Sequence, residues 1–559
     1  MAGMTGRNAP AIVVLGSAAL DTARRIQAHV PGARIHGLAS RVDAHSADIA
    51  YDDFGAHLRS LYVSGTPVIA LCAAGIVIRA LATCLADKGA EPPVLAVAQD
   101  GSAVVPLLGG MNGVNVLARE IAASLHIAPA ITTSGELRFG QCLLAPPEGY
   151  ALADIEQGKR FVSGLLAGET TRIEGHAPWL DDAPLPRAAD ARLAVHITPY
   201  GAGTATAALT PDDLVIHPRC VLAWLDDAGI EGDIAERVRV AMRERGLAPL
   251  ALAALVAPVR QGSLEPLTEA AHALGVPLRL CDARPFDAAS SNGVALHVAD
   301  TPVDALAIGR ARGTLTVLGL GPGSADLLTP AARRALDEAQ DVLGYETYVR
   351  MAGPFRDGQC VHMTDNREEL QRARRAFELA SEGRRVVVVS SGDPGVFAMA
   401  AAVLEALDTG RADHADWHAV KLAIVPGVSA SLATSARAGA PLGHDFCVLS
   451  LSDNLKPWSV IEKRIAHAGE ADLVMAFYNP LSKARPWQFD RAMEIVRQHR
   501  RAETPVVLGR DIGRPGERLS IVTLGALTSD LVDMRTMVIV GSSTTRTVGD
   551  WVYTPRWYE

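Results

Sequence analysis

The chain has 559 residues, 49% of them hydrophobic and 21% charged, with a formal net charge of −9. That length exceeds what one core can organise and predicts three or four domains of about 150 residues each. An acidic chain without long single-sign blocks argues against nucleic acid or an anionic membrane surface as the main partner, while a local arginine cluster still leaves room for a small acidic ligand.

Seven cysteines, Cys72, Cys84, Cys142, Cys220, Cys281, Cys360 and Cys447, are scattered without a C-x-x-C pair. That usage predicts reduced thiols in a cytoplasmic protein and no metal centre. The most apolar run, VIALCAAGIVI (68–78), ends at Arg79, short of a bilayer span. The N-terminal AIVVLGS reads as a buried strand rather than a signal peptide, with an amphipathic helix beginning at Asp21.

In chain order, short β-branched runs alternate with Ala/Leu/Arg-rich helical stretches: AIVVLG (11–16), PVIALC (67–72), RLAVHI (192–197), LTVLGL (315–320), RVVVVSS (385–391), KLAIVPG (421–427), DLVMAFY (472–478), PVVLGR (505–510) and MVIVGS (537–542). Buried strands spaced by helices predict a multi-domain α/β protein with parallel sheets. The Pro- and Asp-rich stretch 174–192 reads as a linker, and a second break falls at 295–313. The expected organisation is an α/β unit at 11–135, a connecting segment at 136–190, a second α/β unit at 191–308 and a C-terminal module at 313–559.

The C-terminal module opens on TLTVLGLGPGSADLLTP (314–330). Gly319, Gly321 and Gly323 give G-x-G-x-G, whereas the dinucleotide fingerprint G-x-G-x-x-G would place its third glycine at Ser324. Pro322 removes a backbone donor where a pyrophosphate would want one. Asp341 keeps a dinucleotide reading open, and a plain tight turn is an equal alternative for this loop taken alone. Thr329–Pro330 is an N-cap and first-turn pair, so the helix starts several residues after the glycines. Four further turns follow predicted strands: SSGDPGVF (390–397), VPGVSA (425–430), AFYNP (476–480) and VGSST (540–544). Five such turns in one module predict a binding cleft along the carboxyl edge of a sheet.

These segments, with LGYETYV (343–349), HDF (444–446), YNPLSKARPW (478–487) and VVLGRDIGRPGE (506–517), resemble the tetrapyrrole methyltransferases, and within them the precorrin-3B C17-methyltransferases of cobalamin biosynthesis. The resemblance covers 313–559. It implies a two-lobed α/β module, S-adenosyl-L-methionine as cofactor, a precorrin-type tetrapyrrole as substrate, a homodimer, and C17 methylation with ring contraction to precorrin-4. It implies cofactor contacts from Gly321, Pro322, Gly323, Ser391, Gly392, Asp393, Val396, Ser429, Ala430, Tyr478, Asn479, Gly541 and Ser542. Ring contraction calls for a base at a bridge hydroxyl, and the resemblance offers His444, Glu346 and Tyr345 for that catalytic role, with Asp445 and Tyr478 behind them. Arg485, Arg510 and Arg514, with Arg518, are candidates for the substrate's carboxylates.

The segments LCAAGIVIRAL (71–81), 87–118 and ITTSGE (131–136), and more weakly 192–290, resemble cobalt-precorrin-5A hydrolase, a lactone-opening enzyme. That family has a histidine where this chain has Met111, and its GCxR-like element reads HPRCVLAW (217–224) here. Methionine neither takes nor gives a proton, so the expectation is a degenerate hydrolase-like half. Lys88, Asp100 and Asn115 remain as polar residues there. The alternatives are a cobalt-containing substrate with an active hydrolase half, a nucleotide-dependent oxidoreductase, and a non-enzymatic tetrapyrrole carrier.

Overall fold

Ala11–Val14 is buried along its whole length, as a strand covered on both faces must be. The computed structural model describes residues 9–43, 46–85, 91–201, 210–226, 232–259, 264–356, 358–365, 368–482 and 485–558; Lys88 lies outside them. The chain divides into two compact units. One comprises Met1–Val256, Ala270–Pro277 and Phe286–Ala305, and the other Ala257–Glu269, Leu278–Pro285 and Leu306–Glu559.

In the first unit a six-stranded sheet runs in the order Ile49–Tyr51, Arg34–Leu38, Ala11–Val14, Val68–Leu71, Val94–Val97, Val104–Leu108. The first five strands are parallel and the last is antiparallel. The amphipathic helix expected from Asp21 runs Leu20–His29 and buries Ala23 and Ile26. A second sheet has the order Tyr150–Leu152, Leu214–Pro218, Leu193–Ile197, Thr171–Glu174. Two of its strands come from the segment read as a connector, and two from the unit read as following it. The Pro- and Asp-rich stretch concealed this because it lacks periodicity, yet Ala177, Leu180, Ala183 and Leu185 pack into one core with Phe139 and Phe161. Farther on, Val221–Leu225 pairs in parallel with Leu252–Pro258 and antiparallel with Val294–Val298.

The second unit holds two lobes. The first is a five-stranded, wholly parallel sheet ordered Cys360–Thr364, Asp341–Tyr345, Arg385–Ser390, Thr314–Gly319, Lys421–Val425. Its register sets Gly319 beside Ser390 and Leu318 beside Val425, so the loops after these strands leave from one edge. The helix after the glycine loop runs Pro330–Glu338, and the Thr329 hydroxyl caps it by accepting from the Ala332 N–H at 3.2 Å.

The second lobe is a mixed sheet ordered Phe446–Ser450, Val474–Tyr478, Thr536–Val540, Pro505–Arg510, Arg518–Thr523. Here the expectation of parallel sheets fails. Thr536–Val540 runs antiparallel to both Val474–Tyr478 and Pro505–Arg510. Ser450, Tyr478 and Arg510 therefore end at one edge, and Val540 ends at the other. Both lobes have their own cores, one around Phe377 and Trp417, the other around Phe477 and Phe489.

Candidate active site

Four of the five predicted turns meet. Gly319, Gly392 and Gly427 bring three strand ends into backbone contact: a Cβ on Gly319 would lie 2.3 Å from the Gly392 oxygen, and one on Gly427 would lie 2.2 Å from the same atom. Gly321 and Gly392 exchange backbone hydrogen bonds of 3.1 and 2.7 Å. Gly392 has φ +70°, the left-handed region that favours glycine, and a Cβ there would find nothing nearer than Ser429 Cα at 3.7 Å. The chain thus closes tightly at the Gly392 carbonyl, while the side of Gly392 where a Cβ would stand is in no more than ordinary contact with its neighbours.

Asp393 locks this arrangement. Its carboxylate accepts from the Gly395 N–H at 2.8 Å and from the Gly427 N–H at 3.0 Å. It pins two turns together and is a positioning group. Ser429 caps the helix Ala430–Ala438 by accepting from the Leu432 N–H at 3.3 Å.

Tyr478 carries the second lobe to this point. Its hydroxyl accepts from the Ser431 N–H and donates to Ser431 Oγ, each at 3.1 Å. Its ring stands edge-on to Phe397, with centroids 5.5 Å apart. Asn479 follows at φ +54° and donates to Ser450 Oγ at 3.1 Å. The loop after Pro505–Arg510 reaches the same place. Arg514 Nε donates to the Pro322 carbonyl at 2.6 Å, and Nη2 donates to Ser391 Oγ at 2.9 Å. Phe397, Asn479 and Asp511 have positive φ. Asn and Asp adopt that conformation readily, but a bulky side chain such as Phe397 rarely holds it unless the surroundings impose it.

The fifth turn goes elsewhere. Val540 stands beside Met475, so Gly541 and Ser542 leave from the edge opposite Tyr478, roughly 13 Å away at the usual rise per strand residue. The Gly541 carbonyl accepts from Arg500 Nε at 3.1 Å, and Ser542 hydrogen-bonds with Thr544 and Thr545. The expected cofactor contact from Gly541 and Ser542 is corrected accordingly: the sequence shows a strand's end but not its direction.

His444 needs the same correction. It precedes Phe446–Ser450, at the amino end of that strand, and packs against Tyr558 with centroids 5.3 Å apart. Its Nδ1 accepts from the Asp445 N–H at 2.7 Å. Tyr345 lies at the correct edge, at the end of Asp341–Tyr345, edge-on to Tyr348. Burial pushes the Tyr348 phenol up, and Arg514 works against that shift. Glu346 is exposed and ion-paired with Arg350 at 2.6 Å.

The three arginines differ. Arg510 pairs with Asp533 at 2.9 Å and Asp511 at 3.1 Å. Arg514 straps the two lobes together, as described. Arg485 is only 8% exposed; Nη2 lies 3.5 Å from Met534 Sδ, and Nη1 is buried with no hydrogen-bond partner among the described residues. The sequence reading missed Ser431, the strap formed by Arg514, and Phe397. The one signal in the sequence for the last two was their place in quoted motifs.

In the first unit, Met111 lies in the turn Gly110–Asn112. Asn115 is buried and donates to Glu136 and, at 3.2 Å, to Thr133, while Arg119 pairs with Glu136 at 2.8 Å. Asp100 accepts from Ser102, from its N–H at 3.0 Å and its hydroxyl at 2.6 Å. Among the described residues no group of three or more His, Cys, Asp or Glu side chains is arranged to hold a metal ion, and no helix is long and apolar enough to cross a membrane.

Residues 314–528 match the Tetrapyrrole (Corrin/Porphyrin) Methylases, and residues 56–136 match Cobalamin synthesis G N-terminal. A Precorrin-3B C(17)-methyltransferase from Sinorhizobium sp is 52% identical over 251 residues, covering 44% of this chain and 97% of the relative. Cobalamin biosynthesis protein CobIJ from Mycobacterium tuberculosis is 47% identical over 254 residues, 44% of this chain and about half, 48%, of that protein. A probable cobalt-factor III C(17)-methyltransferase from Salmonella typhimurium is 42% identical over 244 residues, 44% of this chain and 99% of the relative. The crystal structure of the methyltransferase CobJ shares 53% identity, covering 44% of this chain and all of that one, with a TM-score of 0.42. With a relative matched over nearly its full length at more than half identity, and a cleft built from the motifs that carry the likeness, the chain belongs to the tetrapyrrole (corrin/porphyrin) methylase family and is a methyltransferase joined to a cobalamin-synthesis-G-like N-terminal region.

Proposed function

We propose that this chain methylates C17 of precorrin-3B and contracts its ring to precorrin-4, using S-adenosyl-L-methionine. The observation that carries the reading is the 52% identity to the Sinorhizobium precorrin-3B enzyme across almost all of that protein. The turns suit such a donor on structural grounds, since Gly392 presents a backbone without a side chain beside Ser429 and Ala430, with no atom closer than 3.7 Å to where its Cβ would lie. Gly321, Pro322, Ser391, Gly392, Val396, Ser429, Ala430, Tyr478 and Asn479 would hold it. Bound there, the donor supplies an already activated methyl group. What remains for the protein is alignment of that methyl with the ring carbon and exclusion of water. Asp393, Tyr478 and Arg514 do this by fixing the turns and the two lobes. Tyr345 is the base candidate that stands at the cleft edge.

A cobalt-containing substrate is the second reading, favoured by the 42% identity to the Salmonella cobalt-factor III relative and by the N-terminal match. We further propose that the N-terminal half no longer hydrolyses a lactone: Met111 cannot carry a proton, and Asn115, Arg119 and Glu136 are occupied with one another. The full chain is incubated with S-adenosyl-L-methionine and either metal-free precorrin-3B or its cobalt counterpart, and product mass is followed. Gain of one methyl with the metal-free substrate alone is expected; gain with the cobalt substrate alone selects the second reading. Release of a two-carbon fragment from cobalt-precorrin-5A would overturn the reading of the N-terminal half.

A further inference from the structure

Phe397 stands out among the residues of the cleft. It is apolar yet 52% exposed, and it is held at φ +53°. It sits at the end of the turn that Asp393 pins, and its ring edge rests on Tyr478. Lys456 Nζ stands 5.8 Å from the centre of its ring. Among the described residues no carboxylate pairs with Lys456. Burial, together with the like charge of Arg464, pushes its ammonium below the usual lysine range. Next to it Leu455 is almost fully exposed.

A partly desolvated cation with no counter-ion among the described residues is better stabilised when an anion arrives. An aromatic face held open to solvent in a strained backbone conformation suits a flat conjugated ligand. The two features stand within cation–π distance of each other, and they lie between the turn after Arg385–Ser390 and the loop after Phe446–Ser450, on the edge where Tyr478 ends.

We propose that Phe397 and Lys456 together recognise the methyl acceptor: Phe397 stacks against the macrocycle, and Lys456 receives one of its carboxylate side arms. This rests on the reading of the site as a tetrapyrrole methyltransferase. The pair positions the acceptor over the donor and takes no part in bond making, so its loss should act on acceptor affinity and leave donor affinity alone.

The test uses the full chain. Acceptor binding is titrated by tetrapyrrole absorbance, KM and kcat are measured for the active substrate, and S-adenosylhomocysteine binding is measured by calorimetry. Lys456→Met is expected to raise the acceptor KM about tenfold, the scale of one lost charge-assisted hydrogen bond. Lys456→Arg should restore most of it. Phe397→Leu, which keeps an apolar side chain but removes the flat face, should also raise KM. S-adenosylhomocysteine affinity should stay within about twofold in all three, the pattern of a residue that contacts only the acceptor. Unchanged acceptor KM in both Lys456→Met and Phe397→Leu, with an active parent chain, overturns this proposal and leaves the methyltransferase reading intact. Loss of S-adenosylhomocysteine affinity in either variant also overturns it, by assigning the pair to the donor. Failure of the parent chain to methylate either macrocycle removes the underlying reading, and this proposal with it.

Discussion

His36 and His57 share one hydrogen bond, 2.8 Å from Nδ1 to Nε2, and His57 lies stacked on Tyr51. His36 is buried in the strand Arg34–Leu38, and the negative charge of Asp48 raises its affinity for a proton. Burial first, then His57 and Arg34, push it from 6.5 down to about 4. Above pH 6.5 the ring is neutral in both folded and unfolded chain, and its titration adds nothing. As pH falls from 6.5 toward 4, the unfolded chain takes up a proton that the folded chain refuses, and the N-terminal unit loses roughly 3 kcal/mol. His57 is lowered too by burial, so the loss starts no later than His36 alone would set it. Urea unfolding at pH 7.5 and pH 5 should show about 2 kcal/mol of this drop, since at pH 5 the fall toward 4 is incomplete, and His36→Asn should flatten it; an equal pH dependence in the variant would reject the assignment. None of this was legible in the sequence. His36 and His57 are 21 residues apart, and only the pairing of strand with helix brings them together.

At the scale of elements, the glycine turns are the part of the site that the sequence announces, and the structure divides them by role. Gly319 is a close-approach glycine, because its Cβ would lie 2.3 Å from the Gly392 oxygen. Gly392 is a conformational glycine with room around it. Gly319→Ala should therefore disrupt the first lobe, with a large fall in melting temperature and loss of donor binding. Gly392→Ala should cost only about 1–2 kcal/mol of stability, the left-handed penalty, while its methyl enters the donor space and lowers S-adenosylhomocysteine affinity at least tenfold. Calorimetry and thermal unfolding of the two variants separate these outcomes; equal destabilisation by both would refute the division. The same logic explains where the sequence misled. All nine apolar runs read as strands are strands, most of them because burial on both faces leaves a continuous hydrophobic run, although Lys421–Val425 is only partly covered and Ile424 is 46% exposed. Direction leaves no such trace. Thr536–Val540 reads like its neighbours but runs against them, and Gly541 and Ser542 went to the wrong edge for that reason alone. The connector at 136–190 failed differently, since short half-buried strands such as Tyr150–Leu152 are too brief to show a period.

For the whole molecule, the arrangement of chemistry along the chain predicts how it melts. Every residue gathered at the cleft, from Gly319 to Arg514, belongs to the second unit, whereas Met111, Asn115 and Glu136 belong to the first. That second unit also claims 257–269 and 278–285 from the preceding chain. Arg312 ties it internally by donating to Glu265 at 2.6 Å, Thr268 at 2.9 Å and the Ala419 carbonyl at 3.0 Å. A ligand that binds only one unit stabilises only that unit, by about 2.7 kcal/mol when present at a hundred times its dissociation constant. Scanning calorimetry of the full chain should accordingly resolve two transitions, with S-adenosylhomocysteine raising one and leaving the other in place. Arg312→Ala should lower the responsive transition and spare the silent one, because its three partners all lie in the second unit. A ligand that moved both transitions together would mean that the N-terminal region and the methyltransferase melt as one cooperative body, and the independence of the two units would be refuted.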